Sequence, residues 1–354
     1  MSYKKMVHLW FLIVLPVTAA IFLFNFFIDP LWCYDHSNRW NNHQPGFNER
    51  QQKTNRIHFI GLEKYDTLLL GSSRTAYIDQ HSFTGMKVFN YAADNMLPTE
   101  YEAWIDIATR FRGAPFHTVI IGIDFFGTAK NYDTVINRFY HGKKPHDYVE
   151  KSSEPLYRYK TLLSLDALNH SIESVQRTLH PTVSDYDRRN VRRCNVIVTP
   201  EERSEHIRRD IAEYLPHLRT GSYRYRTVWP EMIRRLKRRY SDTRFIFFTT
   251  PVSRPFFEKI VRQSGRLDDY KRWLRQTVEA AGSLFHFMDI NSVTVNLDNF
   301  FDAHHMYSHA TDWIARRISG EKSTDIPSDF GKVLTPANLE EYLRRQKGTN
   351  VFER

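Results

Sequence analysis

The sequence predicts an α/β fold, a flavodoxin-like three-layer sandwich in which helices cover both faces of a parallel sheet. One observation behind this prediction is a set of short apolar runs bounded by polar or turn residues, which is typical of strands buried on both faces. The other is that segments with helical spacing of their apolar residues alternate with these runs. The runs are Thr67–Leu70, Lys87–Phe89, Val119–Ile123, Arg244–Phe248 and Leu284–Met288.

Three amphipathic segments supply the helices of this alternation. Thr99–Arg112 follows the second run and begins with a capping box, in which Thr99 and Glu102 would each satisfy a backbone N–H at the helix start. Pro230–Tyr240 precedes the fourth run, and its proline suits the first turn of a helix. Met306–Ile318 is the last such segment, and the glycine that follows it is typical of a helix end.

The N-terminal segment Met6–Ile28 has 23 residues without a charged side chain, which is long enough to cross a hydrocarbon core as a helix. This run is longer than the core of a secretory signal peptide, so an uncleaved anchor is favoured over a cleaved signal. Lys4 and Lys5 precede the run, and the positive-inside tendency predicts that this end stays in the cytoplasm. We therefore expect a single-pass protein of the cell inner membrane whose main domain is periplasmic or otherwise extracytoplasmic.

Domain organisation follows from the same patterns. The expected parts are an anchor over 1–30, a linker over 31–64, an α/β domain over 65–320 and a tail over 321–354. Residues 128–226 are too many for one crossover connection, so they are interpreted as a helical insertion in the α/β domain. Within the insertion, Thr161–Leu179 carries an apolar stripe, and we expect this helix to form a lid over or beside the serine motif described below.

The charge balance narrows the class of partner. The chain has 354 residues and a formal net charge of +10, which would suit nucleic acid. An exported domain rarely meets nucleic acid, so an anionic glycan or a lipid surface is the favoured partner. The basic cluster within 188–193 is typical of a solvated face and also fits glycan binding. Two alternatives stay open for Cys33 and Cys194, a disulfide between them or two unpaired thiols.

Two short motifs carry residues that can do chemistry. A Gly-Ser-Ser-Arg string at 71–74 directly follows the first apolar run. A serine on a tight turn at the end of a buried strand presents its hydroxyl outside the sheet, where backbone N–H groups can approach an oxyanion. The second motif, Asp-Ala-His-His at 302–305, stands at the start of the last helical segment. Because residues three apart on a helix project to the same side, Asp302 can orient His305 as the base that deprotonates Ser73.

Together the motifs resemble those of the SGNH (GDSL-like) hydrolase superfamily. Within it, the chain is most similar to the membrane-anchored DltD-like and AlgX/AlgJ-like proteins of extracytoplasmic polysaccharide acylation. The resemblance spans roughly 65–320. It implies that Ser73 is the nucleophile, that His305 is the base and that Asp302 orients this base.

The same resemblance implies an oxyanion hole in which the Ser73 N–H is joined by donors at Asn95 and Asp124. Arg74, beside the nucleophile, is a candidate for holding an anionic group of the substrate, and Asn90 is a second candidate for substrate binding. The superfamily has an asparagine where this chain has Asp124, and an ionised aspartate cannot donate a hydrogen bond. Three interpretations stay open: backbone N–H groups near Asn95 supply the hole, Asp124 has another role, or catalysis is weak.

Structural roles compete with several of these assignments. Ser72 is the alternative serine of the turn, and His304 is the alternative base. Asp302 would also serve as an ordinary helix N-cap, a position that aspartate favours. Arg74 could be a surface arginine that pairs with an acid.

No metal or cofactor is expected. Asp302, His304, His305 and His309 are potential ligands, but no second cluster completes a site and the spacing lacks a zinc-protease glutamate. The favoured function is a serine esterase or O-acyltransferase acting on acyl groups, expected to be acetyl, of a cell-surface polysaccharide. A membrane-bound acyl donor transferase would be its natural partner. The alternative is a catalytically weak or inactive SGNH-like binding or scaffold component of a polysaccharide modification or export machinery.

Overall fold

A computed structural model describes residues 3–219 and 221–346. The chain divides into two units, the N-terminal unit (Met1–Gly61 with Pro145–Val196) and the sheet unit (Leu62–Lys144 with Ile197–Arg354). The described helices are α1 Tyr3–Ile28, α2 Glu49–Phe59, α3 Ser73–Ala76, α4 Tyr101–Arg112, α5 Tyr132–Phe139, α6 Pro145–Ser153, α7 Tyr157–Lys160, α8 Leu165–Leu179, α9 Pro200–Leu218, α10 Trp229–Arg239, α11 Arg254–Phe257, α12 Leu267–Ala281, α13 Ser292–Val295, α14 Ser308–Ile318 and α15 Leu339–Arg345. The strands are β1 Thr67–Leu70, β2 Val88–Asn90, β3 Thr118–Ile123, β4 Asp185–Tyr186, β5 Arg192–Arg193, β6 Arg244–Thr249, β7 Leu284–His286 and β8 Lys332–Leu334.

The sheet unit has six strands in the order β2-β1-β3-β6-β7-β8. The first five pair in parallel, and β8 runs antiparallel to β7. These five strands are the predicted apolar runs to within a few residues, so the mixed α/β class with a mostly parallel sheet is confirmed. In the register, Leu70 lies opposite Ile121 and Ile123 lies opposite Thr249. The carboxyl ends of β1, β3 and β6 therefore meet at one edge of the sheet.

The core of the sheet unit joins the strands to α14. Leu69, Ile120 and Phe248 on the sheet cluster with Ala310 and Ile314 on the helix, and all five are buried. Burying a large apolar side chain contributes about 1.5–3 kcal/mol. This packing fixes the segment just before α14 against the carboxyl ends of the central strands.

The tail and the start of α4 differ from the predictions. The expected tail over 321–354 contributes β8 to the sheet, and a three-residue strand is too short to show a period in the sequence. Residues 347–354 lie outside the described part. The predicted capping box of Thr99 and Glu102 is wrong, because α4 begins at Tyr101 without a side-chain cap. A 3₁₀ turn precedes the helix, and the carboxylate of Glu100 accepts from the backbone N–H of Leu97 at 2.9 Å.

The N-terminal unit combines the expected anchor with segments that the sequence assigned to a linker and to an insertion. The expected linker over 31–64 contains α2, whose polar side chains are buried. Gln52 donates to the backbone carbonyl of Pro30 at 2.9 Å, and Asn55 donates to that of Leu31 at 2.8 Å. Apolar patterning cannot detect such a helix because its buried face is polar. The segment 128–226 is also split, since 145–196 folds with the N-terminal segment and the remainder belongs to the sheet unit.

Within this unit, α1 is long and apolar enough to cross a membrane, judged by length and composition. The predicted basic cluster is neutralised by ion pairs. Arg188 contacts the Asp29 carboxylate at 2.5 Å and Arg192 contacts that of Glu49 at 2.8 Å. Among the described residues no disulfide joins the two cysteines. The helix predicted at 161–179 also lies in this unit, as α8 and the turn before it, and its role as a lid stays a prediction.

Candidate active site

The turn after β1 places Ser73 at the start of the short helix α3. Gly71 has a φ of 151°, and a Cβ there would collide with the Thr75 side chain. A Cβ at Gly122, on the neighbouring strand β3, would collide with the same threonine and with Phe248. The two glycines therefore make the space in which Thr75 seats the turn against the sheet. This close packing fixes the backbone that carries Ser73.

His305 joins Ser73 to Asp302 through hydrogen bonds. Its Nε2 lies 2.8 Å from the Ser73 hydroxyl oxygen, and its Nδ1 lies 2.6 Å from one carboxylate oxygen of Asp302. The other oxygen of this carboxylate accepts the backbone N–H groups of His304 at 2.8 Å and of His305 at 2.7 Å. The structure therefore brings together the three residues that the two motifs predicted, although 232 positions separate the serine from the histidine.

The secondary structure expected for the second motif is wrong. Asp302 and His305 lie in a loop, because α14 begins only at Ser308. The loop closes on itself through a hydrogen bond from the Phe301 N–H to the His305 carbonyl at 3.2 Å. The Asp302 carboxylate caps this turn, so capping rather than helical spacing puts the two side chains on one side.

Electrostatics keep Asp302 ionised. Burial alone would raise its pKa, but the adjacent imidazole of His305 and the hydrogen bonds to its carboxylate outweigh burial, so the pKa lies below the ordinary value. The ring of Phe301 stacks on His305 with 5.7 Å between centroids, and Tyr77 approaches the same ring at 5.2 Å. The Asp302 carboxylate and the two aromatic rings thus fix the orientation of the His305 imidazole.

Ser72 and His304, the alternatives to Ser73 and His305, lie in different surroundings. The Ser72 hydroxyl is buried without a hydrogen-bond partner in the described structure. His304 is 7% exposed, and its ring packs against Tyr214 and Phe256. Burial and the neighbouring positive charges hold the pKa of His304 well below its usual value. Its Nδ1 lies 3.7 Å from the Asp210 carboxylate, too far for a hydrogen bond.

Asp124 and Arg74 form a buried ion pair beside this chain. Nη1 of Arg74 donates to the Asp124 carboxylate at 2.8 Å, and the hydroxyl of Thr250 donates to the same oxygen. The guanidinium lies over the ring of Phe126 at 5.0 Å and over that of Tyr214 at 5.7 Å. Asp124 therefore accepts hydrogen bonds, contrary to the donor role implied for an oxyanion hole. Arg74 is likewise a buried partner of Asp124, neither a surface residue nor an open anion site.

The two candidate asparagines differ in their surroundings. The amide of Asn90 donates to the backbone carbonyls of Thr75 at 3.1 Å and Ile78 at 3.0 Å, and its oxygen accepts the Ala92 N–H at 3.0 Å. Asn90 is fully buried and holds the serine turn to β2, which contradicts its expected contact with substrate.

Asn95 is partly exposed and has a left-handed φ of 54°. The loop that carries it is tied to the serine turn, because the Ala93 N–H donates to the Gly71 carbonyl at 3.1 Å. On the other side of the loop, the hydroxyl of Tyr140 donates to the Asp94 carbonyl at 2.7 Å. Asn95 therefore remains the predicted source of a second oxyanion donor.

Sequence reasoning missed three residues beside the site. Thr250 follows β6 and binds Asp124, while Asp210 and Tyr214 lie on α9. A signal for α9 was available, because Thr199 and Glu202 form a capping box with a proline at the first helical position. Asp210 and Tyr214 stand four residues apart and so share a face. That spacing could have identified the face of α9 that is buried beside His304.

A metal cluster is conceivable by distance alone. The potential ligand atoms of Asp302, His304 and His305 lie within 4.8 Å of one another. Both ring nitrogens of His305 are engaged, so a metal ion would have to displace either Ser73 or Asp302 from it. His309, the fourth potential ligand, has its Nε2 3.1 Å from the side-chain oxygen of Asn299. The donor set is thus better explained by the hydrogen bonds than by a metal.

Comparison with models of known protein families gives no match, and no curated protein matches the chain.

Proposed function

We propose that this chain is a membrane-anchored, extracytoplasmic serine esterase or O-acyltransferase of the SGNH type, acting on acetyl or similar acyl groups of a cell-surface polysaccharide. The observation that carries the proposal is the chain of two hydrogen bonds from Ser73 through His305 to Asp302. A nucleophile, a base and a group that orients the base are the minimum for covalent acyl transfer. The long apolar helix α1 supports the membrane location.

The proposed chemistry has two half-reactions. In the first, the Ser73 oxygen bonds to the acyl carbonyl carbon while its proton passes to Nε2 of His305. The imidazolium, stabilised by Asp302, returns this proton to the departing alcohol, and the acyl group stays on the serine. In the second, a water molecule or a sugar hydroxyl loses its proton to His305 and attacks the acyl carbon. The bond from this carbon to the Ser73 oxygen breaks, and the imidazolium returns the proton to that oxygen, which restores the free serine. Water gives an esterase, and a sugar hydroxyl gives a transferase.

The test uses the full-length protein in detergent with p-nitrophenyl acetate. We expect a burst of p-nitrophenol equal to the enzyme concentration or steady turnover, and an acetyl mass increment on the peptide that contains Ser73 after acid quenching. Ser72→Ala is the matched control and should behave like the parent. An unlabelled Ser73 together with equal release by the Ser73→Ala variant would refute the assignment. Adding an acceptor oligosaccharide then separates the two half-reactions, because a transferase would form acetylated sugar at the expense of acetate.

One observation favours the second candidate, a binding or scaffold component. Asp124 stands where the superfamily that the motifs resemble has a donor, and its carboxylate is occupied by Arg74 and Thr250. A site short of one oxyanion donor loses roughly 10²–10³ in kcat. A protein that binds polysaccharide with the same affinity before and after Ser73→Ala, and that forms no acyl-enzyme, would establish the scaffold.

A further inference from the structure

Helix α8 exposes its apolar side chains and buries its small ones. Leu165, Ile172 and Leu179 are 65%, 43% and 58% exposed. The side that is buried carries Ala167, Ser171 and Ser174 instead. A helix on the surface of a water-soluble domain would have the opposite arrangement, with its apolar stripe turned toward the core.

The buried side of α8 faces α1. The hydroxyl of Ser171 donates to the side-chain oxygen of Asn25 at 2.8 Å. The Asn25 amide in turn donates to the carbonyls of Leu162 at 3.0 Å and Ser164 at 3.2 Å, just before α8 begins. Small residues that let two backbones approach, joined by hydrogen bonds between polar side chains, are typical of helix packing in membranes. Asn25 is thereby satisfied within the uncharged segment.

The contact fixes where α8 begins relative to the predicted span. The uncharged segment from Met6 to Ile28 is about 34 Å long as a helix, against about 30 Å for a hydrocarbon core. Asn25 lies about 4.5 Å from the end of that helix. The start of α8 therefore lies at the outer boundary of the core if α1 spans it. Leu163, in the turn bonded to Asn25, is 52% exposed at this level.

The anchor exposes apolar side chains as well. At its last turns α1 exposes Leu23, Phe26 and Phe27. The apolar stripe and the buried stripe of α8 lie about a third of a turn apart around the helix axis. The remaining third of the helix surface carries charged or amide side chains such as Asp166, Asn169 and Glu173. Three such stripes match a helix that meets a second helix, a lipid phase and water.

We propose that the outward stripe of α8 is a lipid-binding face that lies in the outer surface of the bilayer beside α1. This lipid face comprises Leu163, Leu165, Leu168, Ile172, Val175 and Leu179. The proposal rests on the membrane location of α1 in the proposed function but not on the chemistry at Ser73. Its occupant is the acyl-chain and headgroup boundary of the lipid bilayer, into which the apolar side of an interfacial helix sinks about 5–10 Å.

The experiment places an environment-sensitive fluorophore on single cysteines in the full-length protein. The background carries Cys194→Ser and keeps Cys33, which is 1% exposed and whose thiol pKa is raised by burial. Leu165→Cys and Ile172→Cys probe the lipid face, and Asn169→Cys is the matched control on the polar stripe. The protein is reconstituted in phosphatidylethanolamine and phosphatidylglycerol vesicles with or without brominated acyl chains. Leu12→Cys, within α1, reports on the anchor itself.

We expect brominated lipid to quench the two labels on the lipid face roughly threefold more strongly than the label on the polar stripe, because the face sinks into the acyl boundary. Aqueous iodide should show the reverse order. Equal iodide quenching at all three positions of α8 would overturn the proposal. So would protection from both quenchers, which would mean that a protein covers the face. An unquenched label at Leu12→Cys would refute the membrane location of α1, whereas a quenched one would confine a failure to α8.

Discussion

Ser73 and Arg74 are neighbours in the chain, yet they belong to two clusters with opposite properties. The first cluster is the hydrogen-bonded series of Ser73, His305 and Asp302, here called the open chain. The side chains of His305 and Asp302 are 15% and 13% exposed. The closed cluster is centred on the pair of Arg74 and Asp124, whose side chains are 5% and 3% exposed. His305 and His304 divide in the same way, one joining the open chain and the other packing beside the closed cluster.

The two clusters differ in whether all the partners of a buried charged group are committed to fixed hydrogen bonds. In the closed cluster Arg74 and Thr250 both donate to the Asp124 carboxylate, so that carboxylate is committed to fixed partners. In the open chain His305 has a partner on each nitrogen, and in the proposed function one of these, the Ser73 hydroxyl, attacks an acyl carbonyl. Ser73 and Arg74 are adjacent in sequence, and so are His304 and His305. In each pair one residue belongs to the open chain and the other lies in or beside the closed cluster.

The largest expected effect lies in the open chain. Ser73→Ala and His305→Ala should each lower kcat/KM for p-nitrophenyl acetate by about 10⁴-fold or more, and the double variant should lose little beyond that because the residues act as a unit. Initial rates measured side by side with Ser72→Ala and His304→Gln test whether the two neighbours are as separate as the clusters indicate. Additive losses would contradict a concerted chain.

The next effect concerns the closed cluster and appears in stability. Arg74→Met leaves the Asp124 carboxylate buried without its cation, so the free energy of unfolding should fall by about 3–5 kcal/mol. Urea unfolding in detergent, followed by tryptophan fluorescence, measures this fall. The double variant Arg74→Met with Asp124→Leu should recover most of it, because neither buried charge then remains. A recovery of stability without recovery of esterase rate would assign the pair of Arg74 and Asp124 a part in catalysis and break the division between the clusters.

The pH dependence of stability sharpens the contrast between the two histidines. Burial holds the pKa of His304 well below its usual value, so the folded chain binds fewer protons than the unfolded chain below about pH 6.5. Stability should therefore decrease as pH falls through that value, with a slope approaching about 1.4 kcal/mol per pH unit for one such group. His286, whose pKa burial lowers to about 4, adds a slope of the same sign. Unfolding curves from pH 8 to 5 should be flatter for His304→Gln, and an unchanged slope would contradict the burial of a neutral His304.

The smallest expected effect concerns the packing of Thr75, which seats the turn that carries Ser73 and Arg74 against the sheet. Gly122→Ala places a methyl group against Thr75 and Phe248 and should cost about 1–3 kcal/mol, the usual range for overpacking. The esterase rate should fall with it because the turn that carries Ser73 must shift. Gly127→Ala is the control, since a Cβ there would lie 3.1 Å from the Pro98 side chain and meet no backbone atom. The midpoints of thermal unfolding and the initial esterase rates of the two variants are then compared. Equal values would contradict the close packing of Thr75 against Gly122.

The sequence predicted the strands, because buried parallel strands leave strong local patterns. It predicted the contact of Ser73 with His305 from two short motifs taken together and from their resemblance to a known superfamily. It predicted the partnership of Asp302 with His305 through helical spacing, whereas the structure achieves it in a loop. The closed cluster was beyond reach, since Arg74 meets Asp124 and Tyr214 only after three distant segments have packed. Helix α2 was missed for the opposite reason, because its buried face is polar and resembles a solvated one.

The hydrogen bond between Asn25 and Ser171 has a consequence for how the molecule is made. The two residues are separated by 146 positions, which a ribosome takes roughly 7–30 s to synthesise at about 5–20 residues per second. Throughout that interval the side-chain oxygen of Asn25 lacks its native donor on α8. The N-terminal unit therefore completes its folding late, after most of the first half of the sheet unit has already emerged.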